Sequence, residues 1–118
     1  MIQDMVKIAV KALDSKKGVD IKVIKIDKLT TLADYFVICT GTSSTHVKAL
    51  ADECEYALTS AGYQPHHTEG FGSNSWILLD FKDLIVHVYD KQAREFYDLE
   101  RYWKDGTEID ANEFLEDK

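Results

Sequence analysis

The sequence of 118 residues has only one proline and two cysteines, and each shortage excludes a class of structure. Two cysteines cannot build the disulfide framework of a small secreted domain, so we expect Cys39 and Cys54 to be free, buried thiols in a reducing compartment. No apolar run approaches the roughly 20 residues that a membrane span needs. No stretch is long enough to act as a linker between domains. The length is sufficient for one domain with its own core.

The N-terminal stretch MIQDMVKIAVKALDSKKG lacks the features of a targeting segment. Asp4 stands where a signal peptide carries positive charge, and no small-residue cleavage site follows. Apolar residues recur there at helical spacing, which predicts a helix over residues 2–16. We therefore expect a structural helix here and not a targeting segment.

Positive charge is also scarce, with 14 Lys and Arg against 21 Asp and Glu and a net charge of −7. Proteins that bind nucleic acid through its phosphates need a basic face. The only basic cluster is interleaved with acids and comprises Lys16, Lys17, Lys22, Lys25 and Lys28. We expect little direct RNA contact, because an acidic protein is better suited to a basic protein partner.

The hydrophobic pattern beyond residue 18 predicts five strands and two more helices. Alternation favours a half-buried first strand, whereas Tyr35–Thr40 is apolar on both faces and typical of a central strand. The order predicts an α/β (α+β-like) fold, a mixed five-stranded sheet flanked by helices. The strands span 19–26, 35–40, 63–68, 76–81 and 84–89, and the helices run from Ser43 or Ser44 to residue 61 and over 91–103.

The last 14 residues differ in composition from the rest of the chain. Residues 105–118 contain six acids and one lysine, a balance typical of a flexible tail. We predict a single domain over residues 1–104, followed by this acidic tail. Ile109, Phe114 and Leu115 are its apolar exceptions.

The stretch CTGTSSTHVKAL joins an apolar strand to a helix through a Gly-Thr-Ser-Ser turn. Such a turn can cradle a phosphate at the helix start, as in nucleotidyltransferases, or simply cap the helix with a serine. A nucleotidyltransferase also needs paired acids for magnesium. Asp80 is followed by Lys82 rather than a second acid, and Asp83 falls at the turn. We favour the cap and keep a ligand contact as the alternative.

The remaining reactive side chains form no convincing catalytic set. His66 and His67 are neighbours on a predicted strand and point to opposite faces, so they cannot share a metal ion with Glu69. His87 lies alone in an apolar strand, where histidine usually packs in a core or interface. We predict no metal site, no cofactor and no enzymatic activity.

Aromatic residues are concentrated late in the chain, within residues 76–103. The hairpin over residues 76–89 is apolar on both faces, so it is either central in the sheet or docked against another molecule. Trp and Tyr are the residues that most often anchor interfaces. We favour docking and keep a purely structural core as the alternative.

Four segments resemble the ribosomal silencing factor family, also called the RsfS or iojap family: CTGTSSTHVKALAD, EG, WILLDFKDLIVHVYD and REFYDLERYW. The resemblance covers residues 19–103. It implies a nucleotidyltransferase-like fold without catalytic acids. Because organellar members carry transit peptides and none is seen here, it also implies a bacterial, cytoplasmic protein. It also implies binding to ribosomal protein L-fourteen on the large subunit, which blocks small-subunit joining and damps translation under nutrient limitation. Lys82 departs from the glycine that is frequent in the family, and the acidic tail extends beyond the family core.

The resemblance also indicates which residues contact the partner. The expected set lies on the late hairpin and the helix after it and comprises Trp76, Leu78, Asp80, His87, Tyr89, Lys91, Phe96 and Tyr97. Two alternatives remain: a nucleotide-binding enzyme that uses Gly41–Ser44 and Asp80, and a dimeric adaptor without a ribosomal role. A homodimer of the free protein is a further expectation.

Overall fold

A computed structural model describes residues 2–27, 33–70, 75–97, 101 and 104–115 of the chain. Within these ranges the chain forms four helices and six strands. In chain order the elements are α1 (Ile2–Ser15), β1 (Val19–Lys25), β2 (Tyr35–Gly41), α2 (Ser44–Ser60), β3 (His67–Glu69), β4 (Trp76–Asp80), β5 (Leu84–Asp90), α3 (Lys91–Tyr97), β6 (Thr107–Ile109) and α4 (Asn112–Leu115).

The six strands form one mixed sheet in the order β3-β4-β5-β2-β1-β6. β2 and β5 are parallel neighbours at its centre, and every other pairing is antiparallel. All seven residues of β2 are buried, as its two-faced apolar pattern predicts. The predicted mixed α/β architecture is therefore confirmed, with six strands rather than five.

The two faces of the sheet bury different sets of residues. The first face packs against α1 and α2, and its core includes Val37 and Cys39 of β2 together with Ile77 and Leu79 of β4. The second face holds a smaller cluster, in which partly buried side chains from β4 and α3 pack on buried ones. Its members are Ile24, Ile26, Ala33, Phe36, Ile38, Ile85 and Tyr89, with Trp76, Leu78 and Ala93 packed against them.

The C-terminal segment differs from the flexible tail that its composition predicts. β6 pairs with β1, where Val23 lies opposite Ile109. Ile109, Phe114 and Leu115 pack against the first-face core. Three apolar residues among six acids are too sparse to give a periodic signal in the sequence. They are enough to hold the segment on the core because β1 also presents a strand edge with which β6 pairs.

Two turns use residues other than glycine in the left-handed region of backbone space. Lys82 has φ +77° in the β4–β5 turn, which explains why glycine suits that position. Lys17, with φ +62°, lies in the turn that ends α1. Gly18 follows it, and a Cβ atom there would collide with the Cys39 sulfur.

Candidate protein-binding surface

The second face of the sheet reaches solvent at β4. Trp76, Leu78 and Asp80 lie on this face and are partly exposed, whereas Ile77 and Leu79 point into the first-face core and are fully buried. The two-residue period of a strand produces this separation. The exposed side of β4 is thus the side away from α1 and α2.

Trp76 lies across two residues of the neighbouring strand β5. Its indole Nε1 donates a hydrogen bond to His87 Nδ1 at 3.2 Å, and its ring centroid is 5.8 Å from the centroids of both His87 and Tyr89. Phe36 contacts His87 edge-on, with the ring centroids 4.8 Å apart. These spacings fall in the favourable range for aromatic pairs, so Trp76 sits on a packed aromatic base.

His87 is only 4% exposed, and Tyr89 is fully buried. Burial lowers the pKa of His87 to about 4, so its imidazole is neutral at pH 7. Because Nδ1 accepts the indole hydrogen bond, the ring proton resides on Nε2. Both residues share the face of Trp76, but they lie beneath the surface.

A cleft of about 170 Å³ adjoins Trp76 and Leu78, and its other described lining residues are Glu69 and Gly70. A Cβ atom at Gly70, which has φ +91°, would collide with the Trp76 carbonyl oxygen. Glu69 makes one edge of the cleft polar, and its carboxylate lies 2.7 Å from His67 Nε2. The tryptophan therefore has an apolar pocket beside it and an acidic rim.

Helix α3 contributes a second group of the predicted residues. Asp90 caps it by accepting a hydrogen bond from the Ala93 N–H at 2.7 Å. Lys91 is exposed, and Phe96 is 79% exposed, an unusual state for a large apolar side chain. The side chain of Tyr97 lies outside the described residues.

Arg94, also on α3, has a structural role that the sequence did not indicate. It is 8% exposed, and its Nη1 donates to the Thr40 hydroxyl at 2.6 Å and to the Asp20 carbonyl at 2.8 Å. Nη2 lies 3.5 Å from the Asp20 carboxylate, and the guanidinium carbon is 5.9 Å from the Tyr89 ring centroid. Asp20 has φ +53° within an irregularity of the β1–β2 pairing. Arg94 thereby fastens α3 to the sheet.

The Gly-Thr-Ser-Ser turn caps α2, as predicted. Ser43 Oγ accepts a hydrogen bond from the His46 N–H at 3.1 Å, which identifies Ser43 as the N-cap. The Thr42 N–H donates to His46 Nδ1 at 2.8 Å, so His46 Nε2 carries the proton and donates to the Lys16 carbonyl at 2.8 Å. Two backbone donors that a phosphate would need are thus bound to the chain itself.

The acid expected to complete a nucleotide site lies at the wrong end of the sheet. Asp80 pairs with Ile85, which pairs with Phe36, whereas the turn follows Gly41 at the far end of β2. The separation along the strand is roughly 16 Å at ~3.3 Å per residue. The acid beside Gly41 is Asp90, which caps α3. These positions do not form a paired-acid metal site.

Other reactive groups in the described part of the chain are structural. Cys39 and Cys54 are free and fully buried; burial raises the pKa of Cys39 to about 12 and that of Cys54 above its usual value. No group of three potential metal ligands assembles among these residues. In the same part of the chain, no helix has the length and apolarity needed to cross a membrane.

Comparison with known proteins adds an independent line of observation. The family model described as "Ribosomal silencing factor during starvation" matches residues 1–118. The ribosomal silencing factor RsfS of Bacillus subtilis is 37% identical over 110 residues, which cover 93% of each chain. A crystal structure from Chromobacterium violaceum superposes with a TM-score of 0.87 at 38% identity, covering 88% of this chain and 87% of that one. A crystal structure from Bacillus halodurans gives a TM-score of 0.82 at 30% identity, covering 92% and 98%. The chain therefore belongs to the ribosomal silencing factor family.

Proposed function

We propose that this protein binds the large ribosomal subunit through ribosomal protein L-fourteen and blocks joining of the small subunit. Translation then falls during starvation. Family membership supports the ribosome as the target. The observation that carries the proposal is Trp76, a partly exposed tryptophan on a fixed aromatic base beside an apolar cleft.

The proposed mechanism is steric and needs no catalytic group or cofactor. The chain measures 31 × 30 × 27 Å, so a bound copy excludes another molecule from an area of that width. What the mechanism requires is affinity and correct placement. An enzymatic role through Gly41–Ser44 is disfavoured, because Ser43 and His46 use the turn for capping.

The proposed contact residues differ in their roles. Trp76 and Leu78 provide the apolar centre, and the exposed Phe96 and Lys91 extend the surface from α3, together with Tyr97. Aromatic anchors at the centre of an interface account for most of its binding energy. His87 and Tyr89 support Trp76 from below, since both are buried.

Charge favours a basic protein as the immediate partner. The net charge of −7 opposes contact with ribosomal RNA but accelerates encounter with a basic protein surface. Asp80 lies on the same face as Trp76 and contributes to this field. We place the protein in the cytoplasm, and a homodimer is the expected form of the free protein.

Sedimentation with purified subunits tests the proposal. The protein should comigrate with free large subunits, be absent from joined ribosomes, and lower the light scattering of recombining subunits. Trp76→Ala should weaken binding by roughly 30-fold or more. Tyr56→Ala is the matched control, because Tyr56 is a 70% exposed aromatic on α2, beside the other sheet face. A folded Trp76→Ala protein that binds like wild type would refute the proposed surface.

Asp80 needs a conservative variant, because its Oδ1 also accepts a hydrogen bond from the Lys82 N–H at 2.7 Å. Asp80→Asn keeps that acceptor and removes only the charge. We expect slower association with large subunits and a weaker dependence on salt. Calorimetry with magnesium and nucleoside triphosphates should give no binding heat, and turnover there would favour the enzymatic alternative.

A further inference from the structure

We propose that His87 is a positioning residue that holds the Trp76 indole in the orientation needed to bind the partner. The inference deepens the proposed function and rests on it for the binding step alone. Its basis is the hydrogen bond from Trp76 Nε1 to His87 Nδ1, 3.2 Å long, between neighbouring strands.

The hydrogen bond selects one orientation of the indole. A tryptophan at a solvent edge can rotate about both side-chain torsions, and turning the ring over would move Nε1 away from β5. Contact with the rings of His87 and Tyr89 leaves the ring on the sheet, but ring contact alone does not distinguish its two edges. The acceptor at His87 Nδ1 distinguishes the two edges, because Nε1 is the only hydrogen-bond donor of the indole.

Histidine at position 87 makes the folded state less stable than an apolar side chain would. The side chain is 4% exposed, and in the described part of the structure Nε2 has no hydrogen-bond partner. A buried N–H without an acceptor destabilises the folded state, and an apolar side chain of similar size would avoid that loss. The benefit that offsets it is the acceptor supplied to Trp76. Residues that serve binding often lower stability in this way.

A fixed anchor binds more tightly than a mobile one, because less side-chain freedom is lost on association. His87→Leu removes the acceptor, whereas His87→Asn places a carbonyl oxygen at the position of Nδ1. We expect His87→Leu to weaken binding to large subunits by about three- to tenfold and His87→Asn to restore most of that loss.

Fluorescence tests the positioning step without any partner. The chain contains two tryptophans, so Trp103→Phe leaves Trp76 as the only tryptophan, which can be excited selectively over the six tyrosines. In that background, His87→Leu should lower the anisotropy of Trp76 and raise its quenching by acrylamide, and His87→Asn should reverse both changes. An unchanged signal in folded His87→Leu protein would overturn the inference, whatever the partner proves to be.

A double-mutant cycle tests the binding step. Trp76→Phe also removes the hydrogen bond, so adding His87→Leu to it should weaken binding no further. Ile77→Val is the matched control for stability, because Ile77 is fully buried on the opposite face of the same strand. Additive losses from Trp76→Phe and His87→Leu would refute the coupling. If wild-type protein itself fails to bind large subunits, the proposed function fails, and the fluorescence result still decides the role of His87.

Discussion

Arg94 Nη1 lies 2.6 Å from the Thr40 hydroxyl oxygen, although the two residues are 54 positions apart in the sequence. The same nitrogen donates to the Asp20 carbonyl, so one buried cation joins α3, β2 and β1. It occupies the end of the sheet from which α2 and α3 diverge, where open α/β sheets usually bind ligands. In this protein that position is filled by a structural side chain.

Arg94→Met should therefore destabilise the fold by roughly 2–3 kcal/mol, because it removes charge-assisted hydrogen bonds and leaves buried acceptors behind. Urea unfolding measures the loss. The stability of Arg94→Lys should lie between those of wild type and Arg94→Met, because lysine keeps the charge but lacks the planar guanidinium with its several donors. Arg101→Met is the control, because Arg101 is exposed. Equal stability of wild type and Arg94→Met would show that the anchor contributes nothing.

Ser43 and Ser44 should respond differently to replacement by alanine. Ser43 supplies the capping oxygen, so Ser43→Ala should cost about 0.5–2 kcal/mol. Ser44 is the first residue of α2, and Ser44→Ala should be close to neutral. Both variants should still bind large subunits at low temperature. Thermal unfolding distinguishes the pair, and a loss confined to Ser44→Ala would contradict the observed cap.

Removal of residues 107–118 should lower stability, contrary to what the acidic composition predicts. The deletion removes β6 and the contacts of Ile109, Phe114 and Leu115 with the core. We expect a loss of about 2 kcal/mol or more, equivalent to roughly 5–10 °C in Tm. Glu113→Ala, at an exposed position of α4, is the control. An unchanged Tm after deletion would mean that the segment is only loosely attached.

His87 should make the protein less stable as the pH falls. Its pKa is about 4 in the folded state against about 6.5 when exposed, so the unfolded chain binds more protons between these values. The contribution is present in full above pH ~6.5 and is lost towards pH ~4, by up to about 3 kcal/mol. Unfolding of wild type and His87→Leu across this window isolates the contribution of His87, because the two proteins differ at no other ionisable position. Parallel curves would refute the shift.

The central part of the fold could be predicted because its signals are local. β2 is a continuous apolar run, and the two-residue period of β4 is enough to put Trp76 and Leu78 on one face. The serine cap of α2 could be predicted from the four-residue turn Gly41–Ser44. In each case the residues that determine the structure lie within a few positions of one another.

The remaining features depend on partners that are distant in the sequence. Nothing near Arg94 indicates that it reaches Asp20, 74 positions away, or that His46 binds the Lys16 carbonyl. The burial of His87 was consistent with its apolar strand, but its bond to Trp76 required the strand register. β6 was missed because pairing with β1, rather than its own pattern, determines its conformation.

The two edges of the sheet are its shortest strands, since β3 and β6 have three residues each. The longer, apolar strands β1, β2 and β5 all lie inside them. Short edges offer few unpaired backbone groups to a second molecule and so discourage aggregation between sheets. A chain truncated before β6 would instead expose the seven residues of β1 along a free edge. Such a truncated protein should form insoluble, β-rich aggregates at concentrations that the full-length chain tolerates.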